Sequence, residues 1–286
     1  MLPLFILTIL LPLVVIAMLW RRARLPRGGW IATFIVSLGV VGFSVFVAPW
    51  GVFGLPMRYA LVVLFLAAIV RSLRRAPEPD ARQESPVRAI VKVMLGFSFG
   101  AVAVGALQGH AVPPGAIDLS FPLRGGSFLV AHGGSTSPSN MHHSHPAQTY
   151  ALDVARLNAA GMRARAIFPP DPRQYAIFGA PVVSPCDGVV IAAVDGLPDT
   201  RDEKRVAGNH VIVRCRDADV WLAHLQRGSV AVRAGSRVRT GELLGRVGSS
   251  GNATEPHLHV HAERNGRGVP VTFNGDWLVR NDVVRR

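Results

Sequence analysis

Histidine recurs at every second position in Glu255-Pro256-His257-Leu258-His259-Val260-His261. In an extended strand successive side chains alternate faces, so the three imidazoles share one face and Leu258 and Val260 the other. Upstream, Val220-Trp221-Leu222-Ala223-His224-Leu225 carries one more histidine in an apolar run. Asn140-Met141-His142-His143-Ser144-His145 stands ahead of Tyr150-Ala151-Leu152-Asp153, and seven of the ten histidines fall in these three clusters. Alternation alone is ordinary patterning of a half-solvated strand. Three clusters together point further, because catalytic zinc takes three protein ligands from His, Asp or Glu and leaves a fourth position for water or substrate. One His of the first cluster, Asp153 and one His of the ribbon supply such a set. The other imidazoles are then free to move a proton or meet a developing oxyanion.

The elements that carry these residues have an ordered pattern. Ala223-His224-Leu225 is followed by Val232-Arg233-Ala234-Gly235-Ser236-Arg237-Val238-Arg239-Thr240-Gly241-Glu242-Leu243-Leu244-Gly245. After it comes Val247-Gly248-Ser249-Ser250-Gly251-Asn252-Ala253-Thr254-Glu255-Pro256-His257-Leu258-His259-Val260. This order, over residues 125–270, resembles the lysostaphin/LytM-type zinc metallopeptidases. The resemblance implies a zinc ligand at His259, a catalytic His at His257 and its partner at His224. It also implies two further ligands in a His-x-x-x-Asp motif, and here the chain departs: Asp153 fits, but Thr149 stands four residues before it. A longer form of the motif, Asn-x-His well ahead of Tyr-Ala-x-Asp, points to His142, with His143 or His145 as alternatives. His261 is extra, and is expected on the groove wall as a bystander, since a fourth ligand would close the open position.

Between the clusters, short alternating runs dominate: Ser127 to Ala131, Pro181 to Val183, Gly188 to Val194, His210 to Arg214, Val220 to Leu225, Arg237 to Val238, Glu242 to Val247 and His257 to Ala262. Glycine or proline separates most of them, and helical periodicity is nearly absent after residue 110, so the expectation is a mainly antiparallel β domain over 125–286. Val232 to Gly235 and Val238 to Gly241 read as a compact hairpin crossing, because glycine accepts turn dihedrals that a side chain forbids. Gly248-Ser249-Ser250-Gly251-Asn252 lacks the Lys and helix of a phosphate-binding loop and reads as a turn at the groove rim. Cys186 and Cys215 stand near the ends of the expected hairpin Gly188 to Val194 and His210 to Arg214, where a disulfide is geometrically possible. No Cys-x-x-Cys spacing supports zinc ligation by them.

The first 110 residues are different in kind. Leu2 to Trp20, Trp30 to Trp50, Tyr59 to Val70 and Ala89 to Leu107 are strongly apolar, and crossing a bilayer takes about 20 such residues. The reading is an all-α anchor of four transmembrane helices near 2–20, 30–50, 53–70 and 89–108. In the third, Arg58 would snorkel to an interface; in the fourth, Lys92 near one end would do the same. A connector, 111–124, is stiffened by Pro113, Pro114 and Pro122. Arg21, Arg22, Arg24 and Arg27 follow the first span, which disfavours a cleaved signal peptide. Arg71, Arg74, Arg75, Arg82 and Arg88 lie between the third and fourth spans, so both Arg-rich loops read as cytoplasmic and the β domain as extracytoplasmic, periplasmic for a protein of an inner membrane.

The net charge of +13 does not call for nucleic acid. Residues 1–111 hold 11 basic and 3 acidic side chains and residues 112–286 hold 20 and 15, so much of the excess belongs to membrane topology. The functional expectation is a membrane-anchored zinc endopeptidase acting on peptide cross-links of peptidoglycan, with one Zn2+ per domain and the bilayer and an unidentified membrane regulator as further partners. The substrate comes from the resemblance alone. Two alternatives stand beside it: a catalytically inactive regulator of another cell-wall hydrolase, favoured by the altered first motif, and a zinc protease of envelope or secreted proteins.

Overall fold

The computed structural model describes residues 2–21, 26–75 and 84–286. The chain divides into two units, Met1–Trp50 with Leu55–Leu107, and Gly51–Gly54 with Gln108–Arg286. In the first unit, helices Leu2–Trp20, Arg27–Val47, Leu55–Arg74 and Pro86–Gln108 are each long and apolar enough to cross a membrane. Proline sets several of their boundaries: the second helix opens after Pro26 and stops ahead of Pro49. Inside the first, Pro12 has no N–H for the preceding turn, and Ile6–Leu10 just before it widens into a π-helix. Lys92 differs from expectation. Rather than snorkelling outward, its ammonium donates to Thr33 Oγ1 (3.0 Å) and Glu84 Oε1 (2.5 Å), partners that the apolar surround makes preferable to an unpaired charge. Arg22, Arg24 and Arg82 lie outside the described residues.

The second unit is built from thirteen strands: β1 (Ile117–Leu119), β2 (Ser127–His132), β3 (Leu152–Leu157), β4 (Pro181–Val183), β5 (Gly188–Val194), β6 (Asn209–Cys215), β7 (Ala218–Leu225), β8 (Arg237–Val238), β9 (Leu243–Arg246), β10 (Leu258–Arg264), β11 (Arg267–Val269), β12 (Val271–Phe273) and β13 (Val283–Arg285). Nine of them form one antiparallel sheet in the order β13-β2-β3-β10-β7-β6-β5-β8, with β11 paired to β10. Period-two alternation divides its faces. Leu152, Val154, Leu222, Leu225, Leu258 and Val260 enter the buried core with Phe128 and Phe273, and each such side chain contributes about 1.5–3 kcal/mol on leaving water. The residues between them on the same strands face a groove. As the missing 3.6-residue period implies, the helical turns after residue 110 are the short 3-10 turns Met141–Ser144, Pro146–Gln148 and Pro172–Gln174.

The glycine-spaced segment does not close on itself as a hairpin. β8 pairs with β5, and β9 pairs with β4 in a separate two-stranded sheet. Gly235 and Gly241, both with φ +86, turn the chain into and out of the two-residue strand β8, so each turn hands the chain to a different neighbour. Part of the expected connector is also strand: β1 runs parallel to β12, and Asp118 Oδ1 accepts from Thr272 Oγ1 and the Gly275 N–H, both 2.8 Å. β5 and β6 pair as the expected hairpin, and Cys186 and Cys215 are joined by a disulfide with Cα atoms 5.9 Å apart.

Candidate metal centre

The groove is organised by one row of Cα partners running across four strands, His132 on β2, Asp153 on β3, His259 on β10 and Ala223 on β7. Two bulges bring histidines to the groove, one beside this row and one in it. Leu222 and Leu225 are both core residues three positions apart, which alternation cannot deliver, and the register slips between Asn209 and Val211 of β6 opposite. The extra residue turns His224 into the groove at φ +61, a left-handed conformation that a side chain seldom adopts. A second slip, between Val130 and His132, does the same for His132.

Asn140 explains how a first ligand eleven residues from Asp153 reaches it. Its Oδ1 accepts from the His142 N–H (3.0 Å) and caps the turn Met141–Ser144. Its Nδ2 donates to the carbonyls of Gly134, Thr149 and Ala151, the last two residues ahead of Asp153. The side chain is fully buried and staples the loop to the start of β3. His142 Nε2 consequently lies 2.8 Å from Asp153 Oδ2, and His259 Nδ1 lies 2.8 Å from Asp153 Oδ1.

Among the described residues, the group of His, Cys, Asp and Glu side chains able to share a cation is His142, Asp153 and His259, whose ligand atoms all lie within 4.8 Å of one another. Two imidazole nitrogens and one carboxylate are a donor set suited to zinc, and three ligands leave room for water or substrate. Burial alone would raise the Asp153 carboxyl. The charges of His257 and His142, with hydrogen bonds from His142 and His259, instead hold it well below the usual carboxylate range. The carboxylate is thus ionised and available to a cation at neutral pH. His143 and His145 are outside this group, and His145 stands exposed at the groove mouth.

His257 and His224 flank the group. His257 Nδ1 donates to the Glu255 carbonyl (2.8 Å), while Nε2 lies 3.5 Å from Asp153 Oδ1. His224 Nδ1 donates to the Ser250 carbonyl (2.8 Å), which gives the Gly248-to-Asn252 turn its place at the site. A carbonyl only accepts, so both rings carry hydrogen on Nδ1 and, when neutral, a lone pair on Nε2. Their ring centroids are 4.7 Å apart. Burial first, and then the charges of His257 and His259, hold the His224 imidazole well below its ordinary range.

His261 joins the groove wall as expected, and its Nδ1 lies 3.0 Å from His259 Nε2. One groove residue, His132, and its buried neighbour Arg280 escaped sequence reasoning. His132 Nδ1 accepts from Arg280 Nη1 (3.0 Å), and burial pushes its pKa down to about 4. Arg280 is itself lowered to about 10 by burial, against the pull of Asp153, and stays a cation. Alternation alone would send His132 to the core face with Phe128 and Val130, so no local signal puts it in the groove, and nothing local marks Arg280. The groove around these residues holds about 620 Å³ and reaches Met141 and Gln148 on one side and Arg201 and Asn252 on the other.

A nine-stranded antiparallel sheet carries this His/Asp/His set on its groove face, and residues 174–271 match the sequence model of Peptidase family M23. That match holds His224, His257 and His259, while His142 and Asp153 lie ahead of it. A 93-residue segment is 38% identical to the DD-carboxypeptidase/endopeptidase Mpg of Neisseria meningitidis serogroup B, covering 32% of this chain and 20% of that protein. Another, of 116 residues, is 31% identical to the peptidoglycan DD-endopeptidase ShyC of Vibrio cholerae serotype O1, covering 40% and 26%. A crystal structure of a zinc-containing peptidase from Vibrio cholerae aligns at 21% identity and a TM-score of 0.35, over 54% of this chain and 39% of that one. The chain thus spans about a fifth to a quarter of the length of these curated relatives.

Proposed function

We propose that the chain is a membrane-anchored zinc metalloendopeptidase that hydrolyses peptide cross-links of peptidoglycan on the outer side of the membrane. The observation that carries this reading is the convergence of His142, Asp153 and His259 with two further imidazoles, His224 and His257, beside them. His142, Asp153 and His259 would hold the zinc. When bound, zinc supplies Lewis acidity, which lowers the pKa of water and polarises a carbonyl.

The chain's own residues then handle the proton. His257 and His224 repel each other when both are charged, and burial first, then that repulsion, holds His224 well below its ordinary range. The neutral ring accepts a proton from the attacking water at Nε2; the protonated ring stabilises the developing oxyanion from its Nε2–H. Burial keeps His224 neutral, which favours it for the first role and leaves the second to His257, whose Nε2 stands beside Asp153. As the amide C–N bond breaks, the proton taken from water passes to the leaving nitrogen. The relatives named for DD-endopeptidase activity support the substrate class, and the Arg-rich loops support outward placement.

The test is metal content and turnover of the full-length chain in detergent. About one zinc per chain and release of muropeptides from purified peptidoglycan are expected, with both lost in His259→Ala. An active chain without zinc, or a fully active His259→Ala, overturns the proposal. A regulator that binds without cutting would release no muropeptides while the parent chain still held its fold.

A further inference from the structure

His259 has two ring nitrogens and two neighbours. Nδ1 faces Asp153 Oδ1 at 2.8 Å, on the side of the cation set, and Nε2 faces His261 Nδ1 at 3.0 Å. A neutral imidazole that offers a lone pair at one nitrogen carries hydrogen at the other. If Nδ1 binds a cation, Nε2 is a donor, and it is buried: His259 is 5% exposed.

We propose that His261 is a positioning residue, which accepts the His259 Nε2–H at its Nδ1 and so reserves His259 Nδ1 for the metal. The structure holds the His261 ring firmly in place for this role. It stacks on Trp221, its register partner on β7, with centroids 5.5 Å apart and planes at 13°. Trp221 is pinned in turn: its Nε1 donates to Glu263 Oε1 (3.1 Å), and His210 stacks on its other side at 5.2 Å and 24°. The support spans β6, β7 and β10, and it begins with the third histidine of the ribbon. Metal-bound histidines ordinarily direct their second N–H to an acceptor that fixes tautomer and ring angle, and loss of that acceptor typically weakens metal binding about 10- to 100-fold. The inference rests on the zinc reading of the site and adds an outer partner to it.

Zinc affinity tests it, measured by competition with a chromogenic chelator on the full-length chain in detergent after metal removal. His261→Phe keeps a flat ring against Trp221 but has no acceptor. His261→Asn places an amide oxygen near the former Nδ1. The expected result is zinc binding about 10- to 100-fold weaker in His261→Phe, with most of the loss recovered in His261→Asn and the thermal transition of the metal-free protein unchanged in both. Equal affinity of His261→Phe and the parent overturns the inference alone, as does equal loss in both variants or a loss that follows a lowered thermal transition. A parent chain that binds no zinc overturns it together with the functional reading.

Discussion

At the residue scale, the proposed ligand and proton-handling roles separate by which nitrogen is already committed. His224 and His257 both spend Nδ1 on a backbone carbonyl, at Ser250 and Glu255, and keep Nε2 for the groove. His142 and His259 instead turn ring nitrogens onto Asp153. Substituting His224 or His257 by Ala is therefore expected to leave zinc in place while kcat falls about 10²- to 10⁴-fold. The double variant should fall little further than the worse single one, because the two rings act on the same step. Metal analysis beside peptidoglycan turnover checks this; loss of zinc in either single variant contradicts the division of roles. Much of this set was legible from type and spacing: alternation alone put His257, His259 and His261 on one face, and all three line the groove. What spacing could not reveal is which nitrogen each ring offers, since that depends on carbonyls supplied by the loop before β10 and by the Gly248-to-Asn252 turn.

At the element scale, the site depends on departures from regular strand, and these were the least legible part. Asp153 was found as a motif residue, but β3 around it was not recognised as a strand, because Leu152-Asp153-Val154-Ala155-Arg156-Leu157 has a single acidic interruption in a short run. The bulge at His224 leaves a trace in the three-residue spacing of Leu222 and Leu225, whereas the one at His132 shows only once its partner strand is known. Asn140 is the element-scale control on the first ligand. Asn140→Ala removes a cap and leaves buried carbonyls short of a donor, which should cost about 1–3 kcal/mol and weaken zinc binding by releasing His142. His145→Ala, at the exposed mouth, should do neither. Thermal melting with and without zinc distinguishes them, and matching behaviour of the two variants would count against the staple.

At the scale of the whole molecule, the N-terminal apolar helices and the β domain were both readable from composition, since long apolar runs and short glycine-punctuated alternations obey different length rules. Strand order was not, because glycine turns fix where the chain bends and leave its next partner open, as β8 and β9 illustrate. The bridge between Cys186 and Cys215 closes the β5–β6 hairpin. Cys215→Ser is expected to lower stability by about 3 kcal/mol through the freed loop, and both thiols should resist alkylation in native membranes until a reductant is added; prompt labelling without reductant would contradict an oxidising location. The central claim, that one cation is held jointly by residues remote in sequence, is tested most directly by anomalous diffraction at the zinc absorption edge from crystals of the full-length chain. The account predicts one strong peak per chain bounded by His142, Asp153 and His259; a peak elsewhere, or none at that position in zinc-loaded crystals, would contradict it.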